Sequence, residues 1–254
     1  ILDRLDQLNL TTNTMIVFLG DNGFYLGEHG LGDKRSLYEE SLRVPMLIRY
    51  PRLITQPVVR DELVLNIDIA HTILDLAGVT VPPEMQGRSW RPLLTSGSVT
   101  NWRQSFLAEY FLESGFTIPT TVIVRTPTAK LALWPGNDSW SEMFNLTNDG
   151  HEVTNLFNIP AQQSTRNALR TEFDRLMDET GLAARLKNPA RTGSNTFQAN
   201  ITGGIGPRYQ FEASTNLQTW TPISEIKMNA TQTSATDTNA TGGAKFHRLN
   251  WISD

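Results

Sequence analysis

Two short apolar runs bracket a polar, glycine-rich loop between Met15 and Tyr50, and this arrangement constrains the fold more than any other stretch. The first run, Met15 to Leu19, ends in Gly20-Asp21-Asn22-Gly23, and the second is Val44 to Ile48. Continuous apolar runs of this kind read as strands buried on both faces, as in the parallel sheets of α/β proteins, where ligands bind beyond the carboxyl ends of strands. Asp21 and Asn22 therefore stand where chemistry is expected. Taken alone, Asn-Gly is a turn signal, and a loop holding Glu28, His29, Asp33 and Lys34 is solvated surface more often than not. The position directly after an apolar strand favours more. Aspartate and asparagine offer hard oxygens suited to Ca²⁺ or Mg²⁺, but two residues cannot complete a shell of about 6–8 ligands, so further ligands must come from elsewhere. In the same loop Lys34 is a compact cation for a tetrahedral oxyanion, and His29 can hand a proton to a leaving oxygen.

The remaining pattern is mixed α/β. Ile1, Leu5 and Leu8 give the end of an amphipathic helix that feeds the first strand, half of a βαβ unit. The chain opens without Met inside this helix, so it is expected to be the C-terminal piece of something larger. A second helix is predicted over Asn66 to Ala77, with Ile69, Ile73 and Leu76 inward and Gly78 just past its end. Phe106 to Phe111, Thr121 to Arg125, Lys130 to Trp134 and Met143 to Leu146 read as strands at hairpin-like spacing. Ser164 to Thr180 is the clearest helix: Ser164 or Thr165 caps it, Leu169, Phe173, Leu176 and Met177 form its face, and Gly181 ends it. At Asn188 to Ser194 the composition turns to linker character. Beyond it Thr, Asn and Ser dominate, Tyr209, Phe211 and Ala213 alternate with polar residues, and Trp220, Ile223, Phe246 and Leu249 can supply a small core.

Three divisions follow. Residues 1–187 form one region, with an α/β part over 1–100 and an antiparallel-sheet-plus-helix subdomain over 101–187. Residues 188–194 are a linker, and 195–254 a small all-β module. Composition removes several function classes. A net charge of −4 with interspersed signs leaves no footprint for nucleic acid. The absence of cysteine excludes disulfides, thiolate metal sites and a cysteine nucleophile in this chain. No run approaches the roughly 20 apolar residues of a membrane span.

The ordered series Asp21-Asn22-Gly23, Gly27-Glu28-His29-Gly30, Asp33-Lys34-Arg35-Ser36-Leu37-Tyr38-Glu39-Glu40-Ser41 and Arg43-Val44-Pro45 resembles the C-terminal half of type I sulfatases, in the alkaline-phosphatase superfamily. Asp68 to Gly78 is similar to that family's D-x-x-P-T-L-L-D-L-A-G helix, with His71 in place of proline. Met85 to Ser89 is similar to its glycine-serine loop, and Glu142 to Leu156 to its segment ending in asparagine-leucine. The likeness covers about residues 1 to 185. It implies the C-terminal part of an alkaline-phosphatase-like sheet with flanking helices, the small antiparallel subdomain and an appended all-β module. It implies Asp21 and Asn22 as ligands of a divalent cation, usually Ca²⁺, with Lys34 on the sulfate and leaving-group oxygens and His29 near the substrate. Lys34 and His29 are thus the catalytic and substrate-binding candidates. The family's formylglycine nucleophile arises from Cys or Ser in a C/S-x-P-x-R motif that is absent here, so this chain alone is expected to be inactive.

The activity implied is hydrolysis of a sulfate ester on a small molecule or polysaccharide, by a periplasmic or extracellular protein. Two alternatives stand beside it: a phosphodiesterase or phosphonate hydrolase of the same superfamily, or an inactive binding or structural fragment. Tyr209 to Pro222 and Phe246 to Leu249 resemble small β-sandwich repeats of secreted bacterial proteins, which implies glycan or cell-surface contact by this module. There Trp220 reads as a core residue rather than a sugar platform.

Overall fold

A computed structural model describes residues 1–95, 99–241 and 245–252. The chain divides into two units, one formed by Ile1–Lys34 and Tyr38–Phe106, the other by Arg35–Leu37 and Leu107–Asp254.

In the first unit, α1 (Leu2–Gln7) precedes β1 (Ile16–Leu19), a small ribbon of β2 (Tyr25–Leu26) and β3 (Gly32–Asp33), the single turn α2 (Glu39–Leu42), β4 (Met46–Arg49), α3 (Asp68–Leu76) and α4 (Arg91–Leu94). The apolar runs predicted strands buried on both sides. Instead β1 and β4 pair antiparallel, with Val17 opposite Ile48 and Phe18 opposite Leu47. Strand alternation sends these pairs to opposite faces. Val17, Met46 and Ile48 pack against the core of Trp90, Leu93, Leu94 and Trp102, with Ile69 and Leu76 of α3. Phe18 and Leu47 stay 63% and 67% exposed.

One carboxylate gathers the ends of several segments in this unit. Asp68, fully buried at the start of α3, takes both Nη atoms of Arg103 at 2.7 and 2.8 Å. It also accepts the N–H groups of Leu65 and Arg88, each at 2.8 Å, and the Trp90 indole N–H at 3.3 Å. A buried carboxylate persists only when its lone pairs are filled in this way. Gly87 is required beside it, because a Cβ there would lie 2.2 Å from the Ile67 carbonyl oxygen.

The second unit begins with a four-stranded sheet in the order β5 (Phe106–Tyr110), β6 (Thr121–Arg125), β7 (Ala129–Leu133), β8 (Glu142–Asn145). The helix α5 (Gln163–Glu179) lays Leu169, Phe173, Leu176 and Met177 on Val122, Val124, Leu131 and Met143 of the sheet, the face its periodicity predicts. Its start differs from the sequence reading. A 3-10 turn, Pro160–Gln162, leads into the helix, Gln162 is the N-cap residue, and no side chain caps it. Gly181 ends it at φ +71°. On the opposite sheet face Lys130 is buried, with Nζ 2.6 Å from Glu152 and donating to the Leu37 carbonyl oxygen at 3.0 Å.

Six strands follow: β9 (Arg185–Gly193), β10 (Thr196–Thr202), β11 (Arg208–Ser214), β12 (Thr221–Lys227), β13 (Gln232–Asp237) and β14 (Phe246–Ile252). They form two three-stranded sheets, ordered β13-β10-β9 and β12-β11-β14. Ile201, Tyr209, Phe211, Ile226 and Met228 fill the core between them, joined by Ile223 and Leu249. The stretch 188–194 predicted as a linker falls almost wholly within β9, paired to β10. Its proline and glycine are tolerated because β9 is an edge strand, and Asn188 (φ +50°) and Pro189 sit at a register shift. Trp220 is not in this core. It lies under the guanidinium of Arg248, 4.2 Å from its ring centre, on the outer side where Arg248 Nε also pairs with Glu212 at 2.7 Å. Phe246 is likewise 40% exposed. Among the described residues no helix is long and apolar enough to cross a membrane.

Candidate active site

The Asp21-Asn22-Gly23 turn leaves β1 and is pinned from outside by α2. Gly23 N–H donates to the Ser41 carbonyl oxygen at 2.8 Å and Phe24 N–H to that of Glu40 at 3.0 Å. The approach leaves no room for a side chain: a Cβ on Gly23 would lie 1.8 Å from the Glu40 oxygen. Glycine is therefore fixed by contact, not by turn propensity. Within the turn, Asn22 N–H donates to Asp21 Oδ1 at 2.9 Å and Asn22 Nδ2 donates to the Gly23 carbonyl oxygen at 2.7 Å. The second bond orients the amide so that its Oδ1 remains available as a ligand. Both residues are exposed.

Lys34 is tied to the same turn of helix. Ser41 Oγ donates to the Lys34 carbonyl oxygen at 2.6 Å. Ser41, itself buried, thus holds the backbone of Gly23 through its carbonyl and that of Lys34 through its hydroxyl. Lys34 itself is exposed, which leaves its ammonium open to an anion. The structure therefore brings Asn22-Gly23 and Lys34 onto one scaffold residue. Residue type and spacing alone assign Ser41 and Glu40 no role; the available signal is Gly23, which marks a close backbone neighbour.

His29 occupies the tip between β2 and β3, at φ +55°, flanked by Gly27 (φ +124°) and Gly30 (φ +69°). Its ring stacks on Tyr38, with centroids 3.8 Å apart and planes 6° from parallel, and meets the edge of Tyr25. Its Nε2 lies 3.3 Å from Glu40 Oε2. Buried Tyr25 in turn accepts the Tyr38 N–H on its hydroxyl at 3.1 Å. Glu28 accepts the Leu26 N–H at 2.6 Å. Hydrogen bonds from its own N–H and that of Leu26 hold its carboxyl below the ordinary value.

The donor set can be tested against a divalent cation. Asp21 and Asn22 supply carboxylate and amide oxygens, the right chemistry for Ca²⁺. Among the described residues, however, no group of three or more His, Cys, Asp or Glu is placed to hold a metal. The residues fit as part of a shell and not as a whole one.

Comparison with known proteins gives the class to which this α/β region belongs. The family described as N-sulphoglucosamine sulphohydrolase, C-terminal, matches residues 27–179, and the chain belongs to it. It is 37% identical over 161 residues to an N-acetylglucosamine-6-O-sulfatase of Bacteroides thetaiotaomicron, covering 62% of this chain and 29% of the relative. A protein solved in complex with its substrate D-glucosamine-2-N,6-O-disulfate superposes with a TM-score of 0.66 at 32% identity, covering 70% of this chain and 37% of that one. A phosphonate monoester hydrolase from Silicibacter pomeroyi superposes with a TM-score of 0.62 at 25% identity, over 74% of this chain and 40% of that one. The chain thus spans well under half the length of each.

Proposed function

We propose that this chain is the C-terminal portion of a sulfatase that hydrolyses sulfate esters of a sulfated sugar, small or polymeric. The observation that carries the reading is the double hold of Ser41 on the Asn22-Gly23 turn and on Lys34. It hangs the backbone of the proposed ligand turn and the backbone of Lys34 on one support. Asp21 and Asn22 would hold a divalent cation, usually Ca²⁺, as part of a shell completed by other residues of the natural protein. When bound, such a cation supplies charge stabilisation at the sulfate oxygens. Lys34 adds a positive charge for the non-bridging and leaving-group oxygens, an interaction strongest as charge develops in the transition state. The attacking formylglycine is not encoded between Ile1 and Asp254, so turnover depends on sequence outside this stretch.

The test is to assay the intact natural protein on a sulfated glucosamine, with and without chelator. Lys34→Ala and Asp21→Ala should each reduce kcat/KM by about 100-fold or more, the range seen when a preorganised charge is removed. Unchanged rates in both would overturn the assignment. The phosphonate hydrolase neighbour favours a second reading, a phosphoryl-transfer enzyme with the same scaffold. Preference for a phosphonate monoester over the sulfate ester would select it.

The same reading carries a periplasmic or extracellular location, a sulfatase portion extending to about residue 187, and contact of the all-β module with glycan or cell surface. Binding of the intact protein to a sulfated glycan array, lost on removal of residues 195–254, would support the last.

A further inference from the structure

Histidine in a charged loop beside a candidate site invites assignment as a proton donor, but the contacts of His29 point inward. Its ring face lies on Tyr38 at 3.8 Å. Its Nε2 is 3.3 Å from Glu40 Oε2. A carboxylate only accepts, so Nε2–H donates to it, and this bond occupies the ring atom farthest from the backbone. Glu40 is also the residue whose carbonyl oxygen receives the Phe24 N–H, next to the Ser41 oxygen that receives Gly23 N–H. The loop therefore closes on itself. The chain runs from the Asp-Asn-Gly turn through β2 to His29, and the His29 side chain returns to Glu40, the neighbour of the Ser41 on which that turn is hung. Tyr38, on which the ring lies, is fixed by its own N–H on the buried Tyr25 hydroxyl.

We infer that His29 is a positioning residue: through Glu40 and Tyr38 it locks α2 against the Asp21-Asn22-Gly23 turn and so sets the ligand oxygens and Lys34. It acts on the site through Glu40 and makes no contact with the ester. The strained loop tip is consistent with this work, since His29 holds φ +55° between two positive-φ glycines. A non-glycine residue stays there when surrounding contacts over-determine it, and the stack and the Glu40 bond are such contacts. The inference rests on the proposed sulfatase site for its catalytic consequence, and on contacts alone for its structural one.

The experiment uses the intact natural protein with His29→Ala, His29→Gln, His29→Phe and Glu40→Gln. Three properties are measured: amide hydrogen exchange at Gly23 and Phe24, Ca²⁺ affinity by calorimetry, and kcat and KM on a sulfated glucosamine. His29→Ala should speed exchange at both amides and weaken Ca²⁺ affinity about 10-fold, in the range lost when a support of a metal ligand is removed. Gln, which can still donate to Glu40, should restore most of both, and Phe, which keeps only the stack, should restore less. Adding Glu40→Gln to His29→Ala should cost little more than His29→Ala alone, as for two members of one interaction.

Two results would overturn the inference. One is a kcat loss of about 100-fold or more in the Ala and Gln variants alike with exchange unchanged, the mark of a proton-transfer residue. The other is wild-type exchange and affinity in all four variants. If the intact protein hydrolyses no sulfate ester, the sulfatase reading fails, while exchange at Gly23 and Phe24 still decides whether His29 locks the turn. Should His29→Ala fail to fold, the Gln and Phe variants carry the comparison.

Discussion

His29 in the site loop and His247 in the C-terminal module make the same pair of contacts in different settings. His29 stacks on Tyr38 at 3.8 Å and 6°, with Nε2 at 3.3 Å from Glu40. His247 stacks on Phe197 at 3.9 Å and 4°, with Nε2 at 2.9 Å from Asp237. The surroundings differ. Phe211 flanks the second histidine at 5.3 Å, and its carboxylate also holds Lys245 Nζ at 2.7 Å and the Asn239 N–H at 2.9 Å. With side chains 5% and 3% exposed, that pair is part of a core. A stacked histidine on a carboxylate is thus a building unit in this chain, used once where the geometry offers no chemistry. The same unit in the site loop is weaker and serves a loop rather than a sheet. Its presence beside a candidate site is not by itself a sign of proton transfer.

The sharpest way to break the comparison is Asp237→Ala. It removes the buried acceptor of Lys245 and His247 and should destabilise the module by about 3–5 kcal/mol, as expected when one partner of a buried charged pair is lost. Denaturant unfolding followed by amide exchange in β10 and β13 measures it, and a cost below about 1 kcal/mol would show the two pairs to be equals. Gly23→Ala comes next. The Glu40 oxygen at 1.8 Å from the new Cβ forces the turn away from α2, at a cost of about 1–3 kcal/mol confined to the first unit. Protection should vanish at Gly23 and Phe24 and persist in β10.

Acid gives a smaller and graded effect. Burial raises the Asp237 carboxyl, but hydrogen bonds from Lys245, His247 and the Asn239 N–H outweigh it and leave the group below its ordinary value. A depressed carboxylate contributes fully above its unfolded value, near pH 4, and loses that contribution as pH falls through the lower folded one. Module protection should therefore hold steady from neutral pH to about 5 and decline only below about 4, and Lys245→Ala should move the decline upward. The smallest change is expected for Glu40→Gln, at most about 1 kcal/mol of global stability for a single histidine–carboxylate contact in a loop. A larger loss by thermal unfolding would move that pair into the class of Asp237.

What could be read without the structure was local. The α5 face of Leu169, Phe173, Leu176 and Met177 follows from helical period, and the strands β5 to β8 follow from short β-branched and apolar runs. Gly78 and Gly181 mark helix ends because glycine alone takes their positive φ without strain. The Asp-Asn-Gly turn and Lys34 were visible as residue types in an ordered motif.

Their shared support was not visible, because Ser41 meets Gly23 and Lys34 through backbone atoms that any residue carries. β9 was hidden for a related reason: its side chains read as a linker, and the hydrogen bonds that make it a strand belong to β10. Trp220 carries the hydrophobic bulk of a core residue, and only the register of β11 with β14, which sets Arg248 beside Glu212, places it on the outer face. Sequence determined the periodic elements and the chemical inventory of the site, since period and residue type are written along the chain. Tertiary structure decided which way His29 faces and what holds the turn, since those depend on partners brought together only by folding.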